Sequence, residues 1–188
     1  MFRSLLTLSV VATLAILGAD ASASADAERL HQTASALFAP LPATVEKDGN
    51  PITESKVELG KMLYYDPRLS QSGVISCNTC HNLATYGVDN LPTSLGHRWS
   101  AGPRNSPTVL NAALHTTQFW DGRAADVEEQ AKGPVLNPIE MALPSEEVAV
   151  NRIASMPEYV ERFKAAFPGQ EDALNYDNIA NAIGVFER

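Results

Sequence analysis

The sequence predicts an all-α fold with long irregular connections, and three observations predict it. Apolar residues recur at helical spacing in several segments, and no segment shows the alternation of a strand. Proline, glycine and small polar residues stand where those segments begin and end. The 188 residues are 45% hydrophobic and 19% charged, the composition of a globular chain rather than of a disordered one or a coiled coil. That length supports one domain with a real core, not two large ones. No internal repeat is visible.

Residues 27–38 (AERLHQTASALF) form an expected amphipathic helix, closed by Pro40 and Pro42. Residues 54–65 (ESKVELGKMLYY) form the next, with Val57, Met62 and Tyr65 among its apolar positions and Pro67 as its stop. Residues 82–107, rich in Gly, Pro, Asn and Ser, have no sustained period, and so long a loop in a compact domain is usually functional or disordered. Helical signals return at Asp126–Lys132 and at Ser145–Met156, where Ser145 suits an N-cap and Glu146 and Glu147 suit the first turn. Pro157 opens a helix in which Val160, Phe163 and Phe167 recur at helical spacing, and Pro168-Gly169 ends it. The last segment, 176–188, puts Ile179, Ala182, Ile183 and Phe186 on one stripe. It reaches Arg188 without a cap signal, as if the chain ended inside a helix.

The first 25 residues read differently. Arg3 precedes an apolar run, Leu5 to Ala19, and Ala23-Ser24-Ala25 supplies a small-residue cleavage pattern. The run is short beside the roughly 20 residues of a membrane span, so a secretory signal peptide over 1–25 is expected rather than an anchor. The mature chain then starts near Asp26, in the periplasm or an equivalent space, with no membrane attachment. Formal charge is −8, and the loss of Arg3 and Asp20 leaves it unchanged. Such a balance disfavours nucleic acid as a partner, because phosphate binding needs basic patches, and it suits a basic protein or plain solubility.

Both cysteines lie in Ser76-Cys77-Asn78-Thr79-Cys80-His81. A disulfide, a redox dithiol or half of a zinc site would each use such a pair. A zinc ribbon wants a second pair, which the chain lacks, and a thioredoxin-like dithiol wants a preceding strand and a βαβ pattern. His81 instead completes Cys-x-x-Cys-His, the attachment signature of a c-type haem. On one helical turn, residues three apart share a face, so two thiols reach the two vinyl groups of one porphyrin edge. The adjacent histidine is then placed to ligate the iron from the proximal side.

Further motifs run in order behind it. They are Gly96-His97, Gly102-Pro103-Arg104-Asn105-Ser106-Pro107-Thr108, Gln118-Phe119-Trp120-Asp121-Gly122-Arg123-Ala124, Glu128-Glu129-Gln130-Ala131, Gly133-Pro134 and Asn137-Pro138-Ile139-Glu140-Met141. With Leu59-Gly60-Lys61-Met62-Leu63-Tyr64-Tyr65-Asp66, this set resembles the bacterial di-haem cytochrome c peroxidases over almost all of residues 50–188. The resemblance implies two cytochrome c-like domains with one haem each. The N-terminal haem reduces hydrogen peroxide, and the C-terminal haem takes electrons from a small donor protein, a cytochrome c or a cupredoxin. This chain matches the N-terminal half, so residues 26–188 are expected to form one cytochrome c-like, peroxidatic haem domain. It lacks a second Cys-x-x-Cys-His, and with its uncapped end it looks like a truncated product, of little activity without the partner haem. A homodimer also fits the resemblance.

The resemblance implies roles residue by residue. His97 is the distal iron ligand of the resting enzyme, displaced when the other haem is reduced, and a glycine-flanked loop opens at low free-energy cost. Glu140 is the acid–base residue that moves a proton between the peroxide oxygens, and Gln130 the neutral amide that orients peroxide. Trp120 lies between the haems on the electron route, and Asn105 helps hold calcium at the domain junction. Arg104 and Arg123 suit haem propionates or ordinary ion pairs equally. His31 and His115 carry no motif, and Met62, Met141 and Met156 read as core residues. Two other functions stay open: a mono-haem electron-transfer cytochrome without peroxide chemistry, and a di-haem enzyme that oxidises a protein substrate, like the maturation enzyme of methylamine dehydrogenase.

Overall fold

The computed structural model describes residues 24–188, which divide into a unit ending at residue 43 and a second unit of residues 44–188. In the first, residues 24–35 form a helix (α1), shifted three residues towards the N-terminus from the predicted 27–38. Leu30 of α1, and Leu37 and Phe38 just beyond its end, stay exposed. The signal-peptide expectation falls, but for residues 24 and 25, outside the described residues. No described helix is long and apolar enough to cross a membrane.

The second unit is built from helices and turns. Among the described residues there is no strand, only the isolated bridges Leu95–Ala101 and Gln118–Ala124. The helices are α2 (Glu54–Tyr65), α3 (Cys77–Cys80), α4 (Val127–Leu136), α5 (Glu146–Ala154), α6 (Pro157–Ala166) and α7 (Tyr176–Glu187). Their ends follow capping chemistry. The side chains of Thr53, Asp126, Ser145 and Asn175 each accept a backbone N–H from the first turn they precede. Pro157 occupies the first position of α6. Asp66 ends α2 in an extended conformation before Pro67, then caps the 67–69 turn through Arg68 N and accepts the Tyr159 hydroxyl at 2.7 Å.

The core is the contact of α7 with α2 and α4, closed below by α5 and α6. Leu59, Leu63 and Tyr64 form the buried face of α2, whereas Tyr65 is exposed. They meet Ile179, Ala182 and Ile183 of α7, with Phe163 and Phe167 stacked behind them. Close approach of α2 to α7 requires Gly60, where a Cβ would collide with the Ala182 carbonyl. Met62, Met141 and Met156 all pack in or against this core.

The end of α7 is held by a buried charge cluster. The Arg188 guanidinium donates to the carbonyls of Val45 and Asn50 and lies 3.0 Å from the Glu128 carboxylate. Asn50 Nδ2 donates to the same carboxylate at 3.0 Å, and Lys47 stands 3.3 Å from its other oxygen. One strand-free segment, 44–50, is thereby fixed to α4 and α7.

Candidate functional site

The turn α3 presents both cysteines from one face, and its neighbours hold it in place. Ser76 N donates to Thr79 Oγ1, the Tyr64 hydroxyl donates to the His81 carbonyl, and Ser106 Oγ donates to the Cys80 carbonyl at 2.7 Å. Both thiols are free, and no disulfide joins them. Burial pushes Cys77 up to about 12, with Glu187 adding to the rise, and pushes Cys80 up to about 11. Thiols this reluctant to ionise are poor redox nucleophiles, which argues against the dithiol alternative.

His81 Nδ1 lies 2.9 Å from the Pro107 carbonyl. A carbonyl only accepts, so Nδ1 carries the proton and the Nε2 lone pair is left for a metal. Burial lowers the His81 pKa, which keeps the ring neutral as a ligand must be.

A cavity of ≈ 400 Å³ opens beside this turn. Cys77, Cys80 and His81 form one wall, Gln130, Ala131 and Pro134 of α4 another, and Ile183 and Glu187 of α7 the floor. The Asn137–Met141 turn and the Arg104–Val109 and Gln118–Arg123 segments close the rest, although not every residue of each lines it. Most of that surface is apolar with a few convergent polar groups, as cofactor sites are. Thiols three apart, a neutral histidine with a free nitrogen and a cavity against all three fit a c-type haem, tied at Cys77 and Cys80 with His81 towards its iron.

The cavity gathers Gln130, Glu140, Trp120 and Asn105 with the attachment residues. Asn137 Nδ2 donates to Glu140 Oε1 at 2.9 Å, and burial raises the Glu140 pKa against the pull of Arg123 and of that bond. Trp120 is exposed, and its indole N–H donates 3.0 Å to the Asn105 carbonyl. A second cavity of ≈ 440 Å³ shares the Asn105–Thr108 and Gln118–Trp120 wall.

His97 is not brought onto the cavity wall, although Gly96 is. Its ring is half-buried, its Nδ1 is buried without a hydrogen-bond partner, and its backbone N–H is bound by Ile139 and Glu140. Arg104 and Arg123 both pair with Asp121 at the rim. His31 and His115 are exposed. Among the described residues, no group of three or more His, Cys, Asp or Glu side chains forms a metal cage.

Sequence reasoning missed Glu187, Asn137 and Asp121 as members of this cavity. Only Asp121 and Asn137 lay within motifs that pointed to it, while Glu187 arrives through the packing of α7.

Helices around a Cys-x-x-Cys-His turn, with a cavity against the cysteines, define a cytochrome c-like haem domain. A profile of the di-haem cytochrome c peroxidases matches residues 54–188, and the chain belongs to that family. It is 54% identical over 164 residues to the cytochrome c551 peroxidase of Pseudomonas aeruginosa, covering 87% of this chain and 47% of that protein. With the cytochrome c551 peroxidase of Nitrosomonas europaea it shares 55% identity over 137 residues, 73% of this chain and 40% of that protein. A solved MauG-like protein associated with microbial copper homeostasis superposes with a TM-score of 0.72 at 30% identity, covering 80% of this chain and 45% of its own. The chain thus spans about half the length of the curated relatives it matches.

Proposed function

We propose that residues 26–188 form the peroxidatic haem domain of an exported cytochrome c peroxidase, with residues 1–25 as its signal peptide and the periplasm as its compartment. The reaction is the reduction of hydrogen peroxide by two electrons and two protons to two water molecules. The electrons come from a small cytochrome c or cupredoxin. One observation carries this reading: His81, Gln130 and Glu140 reach a single cavity from three separate segments.

When bound, the haem supplies the redox-active iron at which peroxide is reduced. The chain's own residues do the rest. Cys77 and Cys80 tie the porphyrin edge, and His81 offers Nε2 to the iron. Gln130 orients peroxide with a neutral amide. Glu140, held by Asn137, takes the proton from one peroxide oxygen and returns it to the other, so that the O–O bond breaks heterolytically. A raised carboxyl pKa suits a group that must both give and take a proton.

His97 would serve as the distal iron ligand of the resting protein; it lies off the cavity wall, next to Gly96, which lines it. Trp120 serves the electron route to a second haem, which a longer polypeptide supplies. Its exposure suits a face that meets another domain. Asn105 contributes an amide oxygen to a calcium at that junction, and two copies of the whole protein pair as a homodimer.

A second reading is oxidation of a protein substrate by a di-haem enzyme with a permanently open peroxide site; the presence of His97 leans away from it, although His97 does not line the cavity. The 54% identity to a peroxidase favours the first. The two are separated by adding peroxide to the haem-loaded protein, with the second haem domain in the same polypeptide and reduced cytochrome c as donor. Peroxide reduction oxidises two donors per peroxide. No donor oxidation overturns the reading.

A further inference from the structure

Two adjacent tyrosines behind the Cys-x-x-Cys-His turn have no part in the chemistry above. The Tyr64 side chain is buried, and its hydroxyl donates to the His81 carbonyl at 2.5 Å. Tyr65 is 43% exposed. Successive residues of a helix point about 100° apart, so one ring faces the core and the next faces out. The two rings nevertheless meet edge to face, with centroids 5.4 Å apart and planes at 67°. A hydrogen bond and a ring contact therefore connect the histidine that would hold the iron to the protein surface.

The two phenols differ in what their protons can do. The Tyr64 hydroxyl faces a carbonyl, which is no base, and burial pushes its pKa up, so it keeps its proton. Tyr65 meets water, which accepts a phenolic proton when the ring is oxidised. An electron given up by this pair is therefore lost, with its proton, from Tyr65, and Tyr64 is the bridge. The other ring against Tyr64 offers no such outlet. Phe186 also lies 5.4 Å away edge to face, but a benzene ring yields an electron far less readily than a phenol. Such an outlet has something to protect. Met141 is 3% exposed and lines the cavity, where sulfoxide formation would put a polar group into the core.

We propose that Tyr64 and Tyr65 form an electron route from the protein surface to the haem, used when peroxide arrives and the donor is exhausted. The inference rests on the peroxidatic reading above and goes beyond it by giving the domain a protective, donor-independent outlet. Reduction of one peroxide to two waters takes two electrons and two protons. The second haem of the longer polypeptide supplies one electron and water supplies one proton. Tyr65 supplies the other electron, through the Tyr64 ring, and the other proton from its hydroxyl. What remains is a phenoxyl radical on Tyr65, and two such radicals on two molecules couple ring to ring as a dityrosine.

The test uses haem-loaded protein with the second haem domain in the same polypeptide. The second haem is reduced, the surplus reductant is removed, and peroxide is added without donor. Freeze-quench electron paramagnetic resonance reads the radical, and mass spectrometry reads dityrosine and Met141 sulfoxide. The expected result is a tyrosyl signal that narrows with ring-deuterated tyrosine, followed by a dimer cross-linked at Tyr65. Tyr65→Phe, a conservative change at an exposed position, is expected to lose both and to accumulate more Met141 sulfoxide, with donor oxidation unchanged when donor is present. Tyr86→Phe, at a tyrosine that is 81% exposed and outside the pair, is expected to keep both. A signal that persists in Tyr65→Phe, disappears in Tyr86→Phe or never forms in the unsubstituted protein overturns the proposal. Haem absorption that does not respond to peroxide in the unsubstituted protein overturns the peroxidatic reading itself, and this proposal with it.

Discussion

The backbone N–H of His97 donates to the Glu140 carbonyl at 2.7 Å, and to the Ile139 carbonyl at 2.9 Å. The loop that carries the histidine and the turn that carries the glutamate are thus one hydrogen-bonded unit. Gly96 completes the join, since a Cβ there would collide with the Ile139 carbonyl and crowd the Glu140 backbone.

Gly96→Ala is therefore expected to push the two segments apart. Overpacking against backbone costs about 1–3 kcal/mol, read as a lower midpoint in urea unfolding. Because Glu140 shifts with the turn, peroxide turnover falls further than the unfolded fraction accounts for. A loss of stability with unchanged turnover of the folded protein would separate Gly96 from the site.

Asn137→Ala removes the one hydrogen bond that favours the ionised Glu140 carboxylate. Burial already raises this carboxyl's pKa, and Asn137 and Arg123 oppose the rise. Without Asn137 the pKa climbs further, and the acid limb of the pH–rate profile for peroxide reduction moves to higher pH. An unmoved limb would mean that another group sets it.

Glu187 gives a stability signature in chain produced without haem. Burial pushes its carboxyl from 4.5 up to about 8, with Glu128 adding to the rise. The folded chain then keeps a proton that the unfolded chain gives up, so this residue's contribution falls as pH rises from 4.5 to about 8. Glu187→Gln cannot ionise, and its thermal midpoint is expected to gain on the unsubstituted chain steadily across that range. A constant difference from pH 4.5 to 8 would contradict the burial of the carboxyl.

Glu128→Ala leaves Arg188 and Lys47 without their shared carboxylate, and the Arg188 side chain is only 2% exposed. Removing one partner of a buried pair costs about 3–5 kcal/mol, measurable by denaturant unfolding.

Local signals were legible in the sequence where the chemistry is local. Ser145 as N-cap, Pro157 as first helical residue and the α7 stripe of Ile179, Ala182 and Ile183 all stand where the spacing put them. The end of α4 was not. The helix runs to Leu136 through Pro134, where the pattern pointed to a stop at Lys132. Gly133 before the proline has no Cβ to clash with its ring, which permits the continuation. Buried faces needed the tertiary partner as well: in α2 it is Leu59, Leu63 and Tyr64 that face α7, while Tyr65 points away. The Cys-x-x-Cys-His spacing marked Cys77, Cys80 and His81, and the family resemblance added Gln130, Glu140 and His97; the cavity contains all of these but His97. Glu187, the Asn137 bond and the Asp121 bridge arise from packing between distant segments, which no local pattern encodes.

The central claim is that Glu140 moves the proton in peroxide reduction at this cavity. It is tested most directly by Glu140→Gln in haem-loaded protein, with peroxide reduction followed at fixed haem content. The expected result is a rate lower by about 10²–10⁴-fold, the usual worth of a general acid–base group, with one covalent haem on Cys77 and Cys80 retained. An unchanged rate at the same haem content would contradict the account.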